Sequence, residues 1–324
     1  MSTVSDALEA LTDLQPDRAR ITADIVQGLS IRPRQLPSKY FYDARGSALF
    51  EQITRQPEYY PTRTELKLLQ DCAHDIAKVV GPRLHVVELG SGSGRKTELL
   101  LHALTDPVAY TPIEISRAAL LASITRLAQA LPDIEMLPVC ADFTRPVQVP
   151  APQRPPARRL LFFPGSTLGN FAHADAVALL RAMRQTMGAD GLALIGIDLH
   201  KDPVLIESAY NDAAGVTADF TLNLLRRLNR EIGSDFDLDG FRHRARYSVP
   251  RLRIETELVS TRAQTVHVDG RAFDFADGEA MTVEYSHKYT DASFASLVAE
   301  AGLRASAAWN AFEPAFGLRL LQPA

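Results

Sequence analysis

The chain has 324 residues, 46% of them hydrophobic and 23% charged, and a formal net charge of −4. That composition suits a globular chain able to bury one large core or two modest ones. A weakly acidic balance gives no field that would gather nucleic acid or an anionic membrane non-specifically, and no run approaches the roughly eighteen apolar residues of a membrane span, so neither partner is expected.

Taken in chain order, the first segment, MSTVSDALEALTDLQPD, lacks a basic stretch followed by an apolar one, and a cytoplasmic location is expected. Ser5 to Gln35 is predicted to be mostly helical. The two cysteines, Cys72 and Cys140, lie in apolar surroundings without CxxC or Cys/His spacing, so neither a disulfide framework nor a metal site is expected. From about Leu84, the runs HVVELG, AYTPIEIS, EMLPVCADF, RLLFFPGS and GLALIGIDL alternate with helix-like stretches. Short unbroken apolar runs of this kind are how buried parallel strands read, and the repeated strand-helix order implies a doubly wound parallel sheet. The basic run QRPPARR, Arg154 to Arg159, falls in a Pro-rich connection and reads as a solvated loop.

Beyond His200 the texture changes. Asn211 to Arg246 is charged and predicted helical, whereas RLRIETELVSTRAQTVHVDGRAFDF and EAMTVEYSHKY alternate apolar with polar residues around the hairpin signal Asp269-Gly270. SFASLVAEAGL and FGLRLLQP then read as a helix and a final strand. Two domains are therefore expected, one from residues 64–200 and 288–324, the other from 1–63 and 201–287.

The chemistry concentrates in ELGSGSGRKT, between the first strand of the block and its helix. A glycine-rich turn there lets backbone approach a ligand and presents free N–H groups at a helix start. The dinucleotide fingerprint GxGxxG would need a third glycine at position 95, where Arg95 stands, which argues against an NAD-dependent oxidoreductase. Glu88, just before the loop, would repel a pyrophosphate but suits a ligand carrying an ammonium and a sulfonium. Glu114, ending the second strand, can accept from two ribose hydroxyls, and Asp142, ending the third, can reach an adenine amino group. Three acids on the carboxyl edge of a parallel sheet are what S-adenosylmethionine (SAM) needs. The fold expected is thus α/β, a class I SAM-methyltransferase Rossmann-like parallel sheet, with a second, discontinuous α+β substrate-binding domain. Gly90, Gly92 and Phe143 join these acids in the expected cofactor-binding set.

The loop after the fourth strand, PGSTLGNF, holds Gly165, Ser166, Gly169 and Asn170. Asn170 can donate to a carboxylate and accept from an amine at once, which suits an amino-acid acceptor.

KYFYDARGSALFEQITRQPEYYPTRTE (Lys39 to Glu65), ELGSGSGRKT, PGSTLGNF, AYNDAAGVTADF (Ala209 to Phe220) and VEYSHKY (Val283 to Tyr289) together resemble the L-histidine Nα-methyltransferase family, which forms hercynine in the ergothioneine pathway. The resemblance spans nearly the whole chain. It implies that Tyr60 and Tyr210 bind the substrate carboxylate, that Asn170 orients the amino-acid head group, that Lys96 lies near the cofactor, and that Glu284 and Ser286 grip the imidazole. Residues i and i+2 of a strand share a face, so the last pair also makes sense without the resemblance. Thr256 stands where the family pattern has a methionine near the imidazole, and Tyr285 is larger than the usual aliphatic residue between Glu and Ser. The expected reaction is in-line transfer of a methyl group to the neutral α-amine, repeated three times, with Asn170, Tyr60 and Gly165 at the reacting centre and the proton leaving through water beside Gly165 and Asn170. His173 reads as a helix-surface residue rather than a base. Aromatic faces of Tyr60, Tyr59 or Phe220 would meet the growing cation. The protein is expected to be a monomer acting on a small-molecule amino-acid substrate. A SAM-dependent enzyme for another amino acid such as tryptophan, and a non-catalytic ligand sensor on the same fold, are the alternatives.

Overall fold

A computed structural model describes residues 4–324. Its helices are α1 (Val4–Glu9), α2 (Arg18–Ser30), α3 (Ala44–Ile53), α4 (Tyr60–Val80), α5 (Arg95–Ala103), α6 (Arg117–Ala130), α7 (His173–Met187), α8 (Pro203–Ser208), α9 (Val216–Ile232) and α10 (Asp291–Glu300). The strands are β1 (Thr12–Leu14), β2 (Arg34–Gln35), β3 (Leu84–Leu89), β4 (Ala109–Glu114), β5 (Glu135–Met136), β6 (Val139–Ala141), β7 (Arg158–Phe163), β8 (Leu192–Asp198), β9 (Phe241–Ser248), β10 (Arg253–Ser260), β11 (Gln264–Val268), β12 (Arg271–Phe275), β13 (Ala280–His287), β14 (Leu303–Phe312) and β15 (Ala315–Pro323). They form two compact units, the first from described residues 4–15, 61–200 and 288–324, the second from 16–60 and 201–287.

The first unit is built on one sheet in the order β1-β6-β4-β3-β7-β8-β15-β14, with β5 beside β4. Every pairing from β1 to β8 is parallel, and β15 runs antiparallel to both β8 and β14. Every residue of β3, β4 and β8 is buried, because helices cover both faces of the sheet. Leu69 and Ile76 of α4, Leu100 of α5 and Ile124 of α6 pack with Val86, Tyr110 and Phe162 on one face. On the other, Leu180 and Met183 of α7 and Phe294 and Val298 of α10 pack with Val87, Leu161 and Ile195. From β3 the chain builds outward through β4 to β6, then returns to start again at β7, so the strand order reverses between β3 and β7. Ligands bind outside the carboxyl ends of strands at such a switch point, and here those ends carry Gly90 and Pro164.

Three details differ from the sequence reading. Residues 4–15, expected in the second domain, belong to the first unit, because β1 extends the sheet edge, with Thr12 N donating to Pro138 O at 3.0 Å; residues 1–3 lie outside the described residues. EMLPVCADF breaks into β5 and β6 around Leu137 and Pro138, the proline lacking the N–H a continuous ladder requires. β14, whose sequence LRASAAWNAF carries little strand propensity, was not foreseen; it lies at the sheet edge with alternating exposure.

The second unit holds a four-stranded sheet, β2-β13-β10-β9, and a separate hairpin of β11 and β12. Asp269 and Gly270 turn that hairpin with φ of 52° and 71°, the conformation their signal implied. Ile25 and Leu29 of α2 and Phe220, Leu224 and Leu228 of α9 bury the sheet residues Leu258, Met281 and Val283. The predicted helix over Asn211 to Arg246 is corrected in its last part: α9 ends before Gly233, and β9 takes 241–248 as a strand. Its charged residues read as helical surface, but Phe241 and Ala245 are buried beside β10 while Arg242 and Arg246 face solvent.

At the end of β8, Asp198 pairs with Lys288 at 2.9 Å, with side chains 0% and 1% exposed. Removing one partner leaves a buried charge uncompensated, so Lys288→Met is expected to lower stability by about 3–5 kcal/mol, measured by urea unfolding.

Candidate active site

The glycine loop leaves β3 at the switch point with Gly90, Gly92 and Gly94 all at positive φ, and Gly94 caps α5. Gly90 N donates to Ile113 O at 2.8 Å, fixing the start of the loop to β4. Gly92 N donates to Glu114 Oε2 at 3.0 Å, and Ser116 N donates to Glu114 Oε1 at 2.9 Å. Two backbone donors thus aim a carboxylate that still has lone pairs to offer. Burial pushes the Glu114 carboxyl up, against those hydrogen bonds. A Cβ added at Gly92 would meet nothing within 4 Å, whereas at Gly90 it would touch Phe143 Cε1 at 3.5 Å. Open backbone at Gly92, the aromatic edge of Phe143 beside Gly90, and the aimed Glu114 match the needs of a nucleoside with ribose hydroxyls and a cationic tail.

Glu88 also has partners within the protein. Like Val86 it points to the face covered by α5, and its Oε2 accepts from Thr97 Oγ1 at 2.6 Å and from the Tyr110 hydroxyl. It is 1% exposed. Burial pushes its carboxyl from the ordinary 4.5 up to about 8, against the pull of Thr97 and Tyr110. Through that oxygen Glu88 ties β3, β4 and α5 together under the loop. Asp142 also serves its own turn, its Oδ1 accepting from Thr144 N at 3.0 Å and Thr144 Oγ1 at 2.6 Å.

Lys96, in the first turn of α5, places Nζ 2.5 Å from Glu65 Oε2. Glu65 lies on α4 and is fully buried. Its two oxygens accept from Gly165 N at 3.0 and 2.8 Å. Gly165 has φ +81°, which favours glycine, and a Cβ there would lie 3.2 Å from Thr167 Oγ1. The N–H of Gly165 is thus held by Glu65, and the glycine shapes the loop. Sequence reasoning gave Glu65 no role, although it closes the segment EYYPTRTE; a buried acid in the first turns of a helix was the available signal. Ser166 Oγ accepts from Asp198 N at 2.9 Å, and the next short turn, Thr167–Asn170, presents Asn170 half-buried at the end of β7's loop. His173 is on the helix surface, 65% exposed and 3.0 Å from Glu300.

In the second unit, Tyr60 and Tyr210 share an apolar cluster with Ile206, Ala209, Ala245 and Ile254. The Tyr210 hydroxyl lies 2.7 Å from Ser286 Oγ in a buried hydrogen bond, and the Tyr59 ring meets Tyr210 edge-on at 6.2 Å. Lys201 Nζ donates to the Tyr60 hydroxyl at 3.0 Å and sits 4.3 Å from its ring centroid. Lys201 was also missed, since a lone lysine after a strand carries no signal in sequence. Glu284 stands two residues before Ser286 on β13, half-buried.

A doubly wound sheet with a glycine loop and an aimed acid at its switch point is the Rossmann-like arrangement of class I SAM-dependent methyltransferases, and the protein is such an enzyme. A family model described as "Histidine-specific methyltransferase, SAM-dependent" matches residues 21–323. A histidine N-alpha-methyltransferase of Mycolicibacterium smegmatis is 40% identical over 303 residues, 92% of this chain and 93% of that one. Another, of Mycobacterium tuberculosis, is 37% identical with the same coverage. The ergothioneine biosynthesis protein 1 of Neurospora crassa is 30% identical over 89% of this chain and 33% of its own length. The chain belongs to the SAM-dependent histidine-specific methyltransferase family.

The raised carboxyl of Glu88 sets a pH dependence. Its folded value lies above its unfolded one, so its contribution to stability is complete below about pH 4.3 and is lost as pH rises through about 8. Melting temperatures from pH 5 to 8.5 are expected to fall more steeply for the wild type than for Glu88→Gln, whose side chain does not titrate.

Proposed function

We propose that this protein trimethylates the α-amine of L-histidine to give hercynine, the first step of ergothioneine biosynthesis, as a monomeric cytoplasmic enzyme with no nucleic-acid or membrane partner. The observation that carries the choice of acceptor is the Tyr210–Ser286 hydrogen bond beside Glu284 on one sheet face of a chain in this family. Imidazole offers two ring nitrogens. Glu284 accepts from a ring N–H, and Ser286, sharing a hydrogen with Tyr210, meets the other nitrogen. An indole has one N–H and would leave part of that pair unsatisfied in a buried place, which is how a polar site rejects an otherwise similar ring.

Bound SAM supplies a methyl group on a sulfonium, already a good leaving group. The residues that would hold it are Gly90 and Gly92 by backbone approach, Glu114 by its lone pairs to the ribose, Asp142 and Phe143 around the base, and Lys96 beside the loop. Glu88 and Glu65 act one step back: Glu88 holds α5 under the glycine loop, and Glu65 holds Gly165 and Lys96. Asn170 orients the head group of the amino acid. Tyr60 and Tyr210 take its carboxylate, and the Lys201 ammonium at the Tyr60 hydroxyl makes that end of the site favourable to an anion. The chemistry asks chiefly for orientation, because holding an amine lone pair in line with the methyl replaces a bimolecular encounter. Three rounds build a permanent cation, which tyrosine faces stabilise by about 0.5–2 kcal/mol each.

Mass spectrometry of histidine incubated with enzyme and SAM is expected to show a gain of three methyl groups; a mass that stays unchanged would reject the proposal. Glu284→Ala is expected to lower kcat/KM for histidine by roughly 10- to 100-fold, since hydrogen bonds to charged groups contribute about 1.5–3 kcal/mol. Glu114→Ala should raise the KM for SAM over a similar range and leave histidine binding near its original strength.

A further inference from the structure

Residues 209–215 join α8 to α9 and belong to neither helix nor strand, yet they carry Tyr210. The place of that side chain is therefore set by ties to neighbouring elements instead of by a ladder. Asn211 Nδ2 donates to Ala245 O of β9 at 3.1 Å, and the Asp212 carboxylate accepts from Val216 N and Thr217 N at 2.7 and 2.8 Å, capping α9. The main chain of Tyr210 itself is tied to β9 by His243, whose Nε2 lies 3.0 Å from Tyr210 O. His243 stands opposite Leu258 of β10, on the face that buries Phe241 and Ala245. Its other nitrogen, Nδ1, lies 3.0 Å from Thr221 Oγ1 of α9, a hydroxyl that also sits 2.8 Å from Thr217 O. One ring thus spans β9, α9 and the connection that carries Tyr210.

Burial holds the imidazole below its ordinary pKa, against the pull of the Tyr210 carbonyl and of Asp212, so near neutral pH the ring carries a single hydrogen. A carbonyl oxygen can only accept, which puts that hydrogen on Nε2 and leaves Nδ1 to accept from the Thr221 hydroxyl. We infer that His243 is a positioning residue for the acceptor: its Nε2–H holds the Tyr210 carbonyl and so sets where the Tyr210 hydroxyl meets Ser286 and the substrate carboxylate. This rests on the role given to Tyr210 above and deepens it. Thr221 fixes the tautomer, since only a ring with Nδ1 unprotonated can take its hydrogen. Placement matters for such a group because hydrogen bonds weaken steeply as distance and angle depart from their optimum.

The test uses calorimetry on the full chain, first with S-adenosylhomocysteine and then with L-histidine in its presence. His243→Phe keeps a flat ring without a donor and is expected to weaken histidine about three- to tenfold while S-adenosylhomocysteine stays within about twofold of wild type. His243→Gln, whose amide brings an N–H to a similar reach, should return histidine to within about twofold of wild type. In a Tyr210→Phe background the same His243→Phe change is expected to cost histidine binding nothing further, because the hydroxyl it places is gone and residues that act through one another do not add. A folded His243→Phe protein with wild-type histidine affinity, a parallel loss of both ligands, or a full additive loss in the Tyr210→Phe background would each overturn the inference. If His243→Phe does not fold, His243→Asn, whose shorter amide replaces Nδ1 and stops short of Tyr210 O, is read in the same way. Tyr210→Phe alone leaving histidine affinity unchanged would instead reject the role of Tyr210, and the inference with it.

Discussion

The N–H of Gly92 pointing at Glu114 is the contact on which the cofactor side of the molecule depends. A glycine loop at positive φ has little internal structure to hold it, and its N–H groups must be left facing outward for a ligand. The protein answers with buried carboxylates that grip the surroundings of the loop. Glu114 holds it from β4, Glu88 holds the helix beneath it, and Glu65 holds the neighbouring loop at Gly165 and reaches Lys96. Taking three carboxyl groups out of water is unfavourable in isolation, and each is accordingly met by backbone N–H, hydroxyl or ammonium donors. An electrostatic frame of this kind is preorganised, so little rearrangement is needed when a charged nucleoside arrives.

The second unit solves a different problem. Its antiparallel sheet builds the core on the same face that carries the polar residues Glu284 and Ser286. Apolar residues of α9 and α2 cover one part of that face, and the aromatic cluster of Tyr59, Tyr60 and Tyr210 borders the other. The register shift in β10 falls between the two parts, after Thr256, where apolar residues give way to polar ones.

Much of this was legible in the sequence for identifiable reasons. Unbroken apolar runs such as HVVELG and GLALIGIDL announce strands covered on both faces, and Asp269-Gly270 announces a hairpin. What was hidden depends on pairing across distance. β14 is alanine-rich and holds its place through β15, and β9 is charged on one side because only one side is buried. The place of Glu114 at a strand end beside the glycine loop was also legible. Glu88 has the same sequence position one strand earlier, and its bonds to Thr97 and Tyr110 give it a structural task that no spacing reveals. Glu65 and Lys201 gain their meaning from partners 100 and 141 residues away.

The order of strands has a bearing on how the polypeptide matures as it leaves the ribosome. β15 follows every other strand in sequence, yet it fills an interior place between β8 and β14. The second unit has all of its segments once residue 287 has emerged, whereas the first must wait with the flank of β8 unpaired until β15 is made. Nascent chains halted just short of this strand would expose a naked, strongly apolar sheet edge, the kind of surface that invites chaperones or self-association.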